Sequence, residues 1–155
     1  MTAVLELRVD VDAPVEATWA GATDWAGQGE WMLGTSVRPT AQGGQGVGGG
    51  IAAFTGIGPL GFLDTMTITR WEPPHRCHVL HTGRIVRGTG EFGVERRGEG
   101  QSVFVWREDL ELPLGPLGRL GWLLGKPLFA FGVRLSLRRF ARWVEAGRPA
   151  GRTAS

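Results

Sequence analysis

The chain has no tyrosine and only one cysteine, Cys77, and one lysine, Lys126. A lone cysteine excludes an intrachain disulfide framework and a C-x-x-C metal pair, and it fits a reducing compartment. Long hydrophobic runs are missing too, so no stretch has the roughly 20 apolar residues that span a bilayer. The opening "MTAVLELRVDVDAP" alternates apolar with charged residues and lacks the basic and continuous apolar regions of a signal peptide. A soluble, cytoplasmic protein is therefore expected. A strong charge of either sign is also absent: the net charge of +2 is too small to make nucleic acid the default partner. Sixteen arginines against a single lysine reflect a GC-rich, actinobacterial-like composition and not a function.

What is present is globular. With 155 residues, 42% hydrophobic and 21% charged, one domain is expected over 1–147, followed by a disordered tail at 148–155. Leu5, Leu7, Val9 and Val11 alternate with Glu6, Arg8, Asp10 and Asp12, the period-2 signature of a half-buried strand. Pro14 suits the first position of a helix carrying Val15, Trp19 and Ala22, and Asp24 suits the N-cap of a second short helix. From Thr35 to Pro113 the signals are those of strands, near 35–40, 46–55, 61–72, 75–83, 85–96 and 101–112. Short connections between them imply an antiparallel meander. An apolar Gly-Pro stretch, 114–125, then precedes a long helix expected from about Pro127 to Ala146.

The segment "GGQGVGGGIAAF" contains a G-x-G-x-x-G at Gly44, Gly46 and Gly49. A dinucleotide fingerprint needs a helix opening at its last glycine inside a βαβ unit, whereas "IAAFTGIGP" follows here and leads into more strands. The glycines are expected to serve the backbone. Gly88 and Gly90 fall inside a strand and share a face with Phe92 and Val94, so side chains are missing from the concave face of a curved sheet. Such a gap under a long helix favours a cavity, partly roofed by 114–125.

Alternation also sorts side chains by face. Glu108 shares the apolar face of Phe104, Trp106, Leu110 and Leu112; Asp64 shares that of Phe62, Met66 and Ile68; His75 and His81 share that of Cys77 and Val79. Asp64, His81 and Glu108 are thus expected to project into one apolar chamber, where they could orient a ligand or act as acid and base. The walls are expected to come from Phe62, Met66, Val79, Phe92, Phe104, Trp106, Phe129 and Val133, with Trp122 at the chamber or its mouth. No metal site is expected in "HRCHVLH", because residues six apart on a strand are separated by about 20 Å. Arg134, Arg138 and Arg142 lie four apart on one helical face, either paired with sheet-edge carboxylates or facing an anionic partner.

The order strand, two short helices, antiparallel meander and long closing helix resembles the helix-grip fold of the START-like SRPBCC superfamily, in its polyketide cyclase/dehydrase and lipid transport branch. The residues that carry the resemblance are "VDAPVEATWAGATDW" at 11–25, "DTMTITRWEPPHRCHVLHTG" at 64–83 and "SLRRFARWVEAG" at 136–147. The resemblance implies an α+β fold, a curved sheet of about seven strands wrapped around the C-terminal helix. It also implies a small hydrophobic ligand that is polyketide-, lipid- or quinone-like, held without metal or tight cofactor by a monomer or homodimer. Two alternatives stay open: a polyketide cyclase or dehydratase using Asp64, His81 and Glu108, and a protein binding RNA, a ribosome or a toxin partner through its basic helix face.

Overall fold

The computed structural model describes residues 2–147, so the tail expected at 148–155 lies outside the described residues. Seven strands form one antiparallel sheet: β1 (Thr2–Val11), β2 (Thr35–Pro39), β3 (Gly50–Ile57), β4 (Leu60–Glu72), β5 (Arg76–His81), β6 (Gly88–Gly98) and β7 (Gln101–Glu111). Their spatial order is β1-β7-β6-β5-β4-β3-β2. The meander is therefore unbroken from β2 to β7, and β1 returns to pair with β7, with Leu5 opposite Glu108. A register shift between Ile68 and Arg70 bends β4 against β5, as bulges do. Two helices complete the α+β helix-grip architecture: α1 (Val15–Ala22) and α2 (Gly115–Glu145).

The expected order is right, and the differences are local. Pro14 is the N-cap of α1, with extended backbone, and not its first residue. The second short helix is a 3₁₀ turn, Trp25–Glu30, whose Gly27 N–H donates to the Asp24 side chain. The glycine-rich segment forms a turn leading into β3. Gly44, Gly46 and Gly48 have φ of 69°, 72° and 86°, and the Gly44 carbonyl accepts a 2.8 Å hydrogen bond from Trp25 Nε1. A side chain at Gly44 would strike the Trp25 ring, which answers why the chain needs glycine there.

The largest correction concerns α2, which starts at Gly115, well before the expected Pro127, and runs for 31 residues. Leu117, Leu120, Leu124, Leu128, Phe131 and Leu135 recur three or four apart through the whole length, a helical period that the intervening glycines and prolines disguise. Pro127 sits inside the helix, where it withholds one backbone hydrogen bond. The two halves differ in anchorage: the buried residues of α2 are Ala130, Val133, Ser136, Leu137, Phe140, Ala141, Trp143 and Val144, all in the C-terminal half.

That half sits on the inner face of the sheet. Phe140 packs on Phe104 at 4.6 Å and on Trp31 at 4.8 Å between ring centroids, and Phe92 stacks on Phe104 at 6.2 Å. Among the described residues no helix is long and apolar enough to cross a membrane.

Candidate functional site

Beyond this aromatic core the helix and sheet diverge and leave a cavity of about 430 Å³, within the range of small-molecule sites. β4 contributes Phe62, Asp64 and Met66, β5 His81, β6 Phe92, and β7 Trp106, Glu108 and Leu110, while Trp122, Phe129 and Val133 of α2 close the other side. The period-2 alternation explains the convergence. On each strand the inward positions are every second residue, and the antiparallel register sets Met66 opposite His81 and Gly90 opposite Glu108. Leu128, 77% exposed, and Phe129, 40% exposed, also line the cavity, so its mouth lies along the N-terminal half of α2.

Three polar side chains, all buried, meet in this apolar wall. His81 Nδ1 lies 3.0 and 2.9 Å from the two carboxylate oxygens of Asp64, and His81 Nε2 lies 3.0 Å from Glu108 Oε2. Trp106 Nε1 donates to Glu108 Oε1 at 2.6 Å. Burial pulls the imidazole pKa down, but the hydrogen bonds and charges of Asp64 and Glu108 outweigh it and lift it to about 9. At neutral pH His81 is therefore an imidazolium donating from both nitrogens. Each Glu108 oxygen, with two lone pairs and one partner, keeps an acceptor direction for a ligand.

Gly90 makes room for this arrangement. A Cβ at this position would lie 3.0 Å from Glu108 Oε2 and 3.0 Å from Val79 Cγ2. The missing side chain inferred from sequence thus clears space for a carboxylate.

Asp64, His81 and Glu108 converge as the alternation predicts, and Phe62, Met66, Phe92, Trp106, Trp122, Phe129 and Val133 line the cavity. Val79 and Phe104 do not. Both are completely buried in the core beneath it, Phe104 being covered by Phe140. His75 is also displaced from the expected inner face: it lies in the turn before β5, with Nδ1 3.0 Å from the Val94 carbonyl oxygen. Cys77 faces the core, and burial pushes its thiol pKa to about 12, which leaves it unreactive at neutral pH.

The alternation missed a second set of lining residues. Gln28 comes from the 3₁₀ turn, Thr35 and Thr55 from β2 and β3, with hydroxyl oxygens 3.0 Å apart, and Ser136 from α2. Ser136 is fully engaged, donating to the Gly132 carbonyl and accepting from the Leu33 N–H. A shared face of Ala53 and Thr55 was readable from β3, whereas nothing in the sequence directs Gln28 inward.

A family model described as "Polyketide cyclase / dehydrase and lipid transport" matches residues 2–145. None of the curated proteins matches the chain by sequence. Among solved structures it is similar to the ZhuI aromatase/cyclase from Streptomyces sp. R1128, with TM-score 0.75 and 16% identity, covering 97% of this chain and 99% of that one. The di-domain aromatase/cyclase BexL of the BE-7585A biosynthetic pathway matches with TM-score 0.72 and 16% identity over 95% of this chain and 48% of its own. Norcoclaurine synthase from Thalictrum flavum, in complex with dopamine and hydroxybenzaldehyde, matches with TM-score 0.68 and 15% identity over 96% and 89%. At these identities the likeness concerns the fold.

Proposed function

The chain belongs to the polyketide cyclase/dehydrase and lipid transport family, and from that premise we propose that it binds a small hydrophobic molecule bearing a hydroxyl or carbonyl group in the cavity between sheet and α2. The observation that carries this reading is the buried cluster of Asp64, His81 and Glu108 beside Trp106 in a mostly apolar wall, whose other polar side chains, Gln28, Thr35, Thr55 and Ser136, stand apart from it. An apolar wall supplies affinity through area, and one fixed polar group supplies orientation. Phe92 and Trp106 stack at 6.4 Å with 24° between their planes, a surface suited to a flat ligand.

A second reading rests on the state of Glu108. Its carboxylate is held from two sides by His81 and Trp106 in a desolvated site, as a general base must be held. On a polyketone-like ligand Glu108 would take a proton from carbon between two carbonyls, leaving the electron pair as an enolate. Attack of that carbon on another carbonyl forms the ring bond, the resulting alkoxide recovers the proton from Glu108, the new hydroxyl leaves as water with the remaining hydrogen of the attacking carbon, and enolisation of the ring carbonyls completes the aromatic ring. The aromatase/cyclase titles of two structural neighbours make this chemistry a reasonable one to test. Asp64 would then act as a positioning residue for His81, and His81 for Glu108.

Native mass spectrometry of the protein from an actinobacterial host, with identification of any retained compound, tests the first reading. A defined hydrophobic mass that is lost in Trp106→Ala is the expected result, and a chain that stays empty with every apolar candidate offered overturns it. Glu108→Gln separates the two readings: a carrier keeps or weakens binding, whereas a cyclase keeps binding and loses turnover.

A further inference from the structure

The face of α2 turned away from the cavity has no partner in the fold. Leu117, Leu120, Leu124 and Phe131 lie on it, between 53% and 74% exposed, on the side of the helix opposite Trp122, Val133 and Phe140, and Leu128 stands at its border with the cavity. Further along the same face stand Arg138 and Arg142, both exposed. Neither makes an ion pair among the described residues, so the carboxylate partners considered from sequence are not present. From 112 to 144 the chain contains six basic residues and no acidic one, and the acidic residue that closes this face, Glu145, accepts from the Asp12 N–H at 3.0 Å.

Neighbouring elements extend the patch. Because His81 pairs with both Met66 and Gly88, and Gly88 with Leu110, the β3–β4 turn, the β5–β6 connection and the start of α2 share one end of the sheet. Ile57 at 87%, Leu60 at 79% and Ile85 at 66% exposure project from the first two. Arg84 and Arg119 lie exposed at this end. Its acidic residue Glu111 is paired with Arg87 at 3.5 Å.

A second copy packed with its helix parallel would set Arg138 and Arg142 against their own counterparts, which costs repulsion. Apolar side chains flanked by an excess of cations complement the interface of an anionic lipid bilayer. We propose that the outer face of α2 docks on an anionic bilayer surface, inserting its leucines below the headgroups and placing Arg138 and Arg142 on the phosphates. The docking stands independently of what the cavity holds. Combined with the ligand-binding reading, it places the mouth beside Leu128 and Phe129 at the membrane, so that an apolar ligand would exchange with lipid and not with water.

The test is co-sedimentation with vesicles of phosphatidylcholine alone and of phosphatidylcholine with phosphatidylglycerol. Preferential binding to the anionic vesicles is expected, falling as salt rises. Leu120→Glu with Leu124→Glu should weaken it by about tenfold or more, and each of Arg138→Gln and Arg142→Gln by about fivefold. Circular dichroism shows that the variants fold, and ligand retention by the leucine variant reports separately on the cavity. Failure to bind either vesicle overturns the proposal, as does binding that the leucine variant leaves unchanged. A dimer in sedimentation equilibrium that this variant dissociates, without vesicle binding, would assign the face to a second copy instead.

Discussion

Glu108 lies directly across the sheet from Gly90, and a side-chain carbon at position 90 would stand 3.0 Å from the Glu108 carboxylate. The polar cluster of the cavity is thus set by an absence on the neighbouring strand.

Gly90→Ala should accordingly displace Glu108 from His81 while crowding Val79. Overpacking of this size destabilises by about 1–2 kcal/mol, which urea denaturation would register. The more specific expectation is a fall in the His81 pKa, seen by NMR titration of the imidazole, because one of its two carboxylate partners is moved. An unchanged titration would show that Glu108 tolerates the methyl.

Stability should depend on pH through His81. Its folded pKa of about 9 stands above the ordinary 6.5 of an unfolded histidine, so folding favours the protonated ring. The contribution is complete below about pH 6.5 and is lost as pH rises through 9, with a magnitude of roughly 3 kcal/mol. Denaturation midpoints measured across that window should fall for the parent chain and fall less for His81→Gln.

Trp106→Phe keeps an aromatic wall and removes the N–H that holds Glu108 Oε1. The loss of one hydrogen bond to a charged acceptor is worth about 1.5–3 kcal/mol. If the acid–base reading holds, turnover should fall more than substrate affinity, since a loosened Glu108 is misplaced for proton transfer. Equal losses in kcat/KM and in ligand binding would instead mark Trp106 as wall alone.

The glycines of α2 should separate into two kinds. At Gly118 an added Cβ would come within 1.8 Å of the Pro113 carbonyl oxygen, whereas at Gly121 and Gly125 it would meet nothing. Gly118→Ala should therefore disrupt the helix start, and Gly121→Ala and Gly125→Ala should each stabilise the helix by about 1 kcal/mol. Hydrogen exchange of the amides of 115–128 distinguishes the outcomes: faster in the first variant, slower in the other two.

The inward residues were legible because a strand buried on one face repeats every two residues, which sets Asp64, His81 and Glu108 on one face of the sheet. Alternation reports the side on which a residue lies but not its depth along the strand. Val79 and Phe104 therefore share the cavity's face yet sit in the core beneath it. Helix α2 was only half legible, because Gly115, Gly118, Gly121, Gly125 and Pro127 suppress helix propensity over a segment whose apolar spacing is helical throughout. Gln28 was not legible at all, since a 3₁₀ turn has no repeat long enough to define a face.

The split anchorage of α2 also divides its mutational freedom. Substitutions of the buried residues from Ala130 onward act on a packed interface and change whether the chain folds. Those from Arg119 to Phe129 alter a wall with no fully buried residue, so they can change what enters the cavity while the fold is retained. A directed-evolution library confined to that stretch would explore ligand choice without disturbing the packed core.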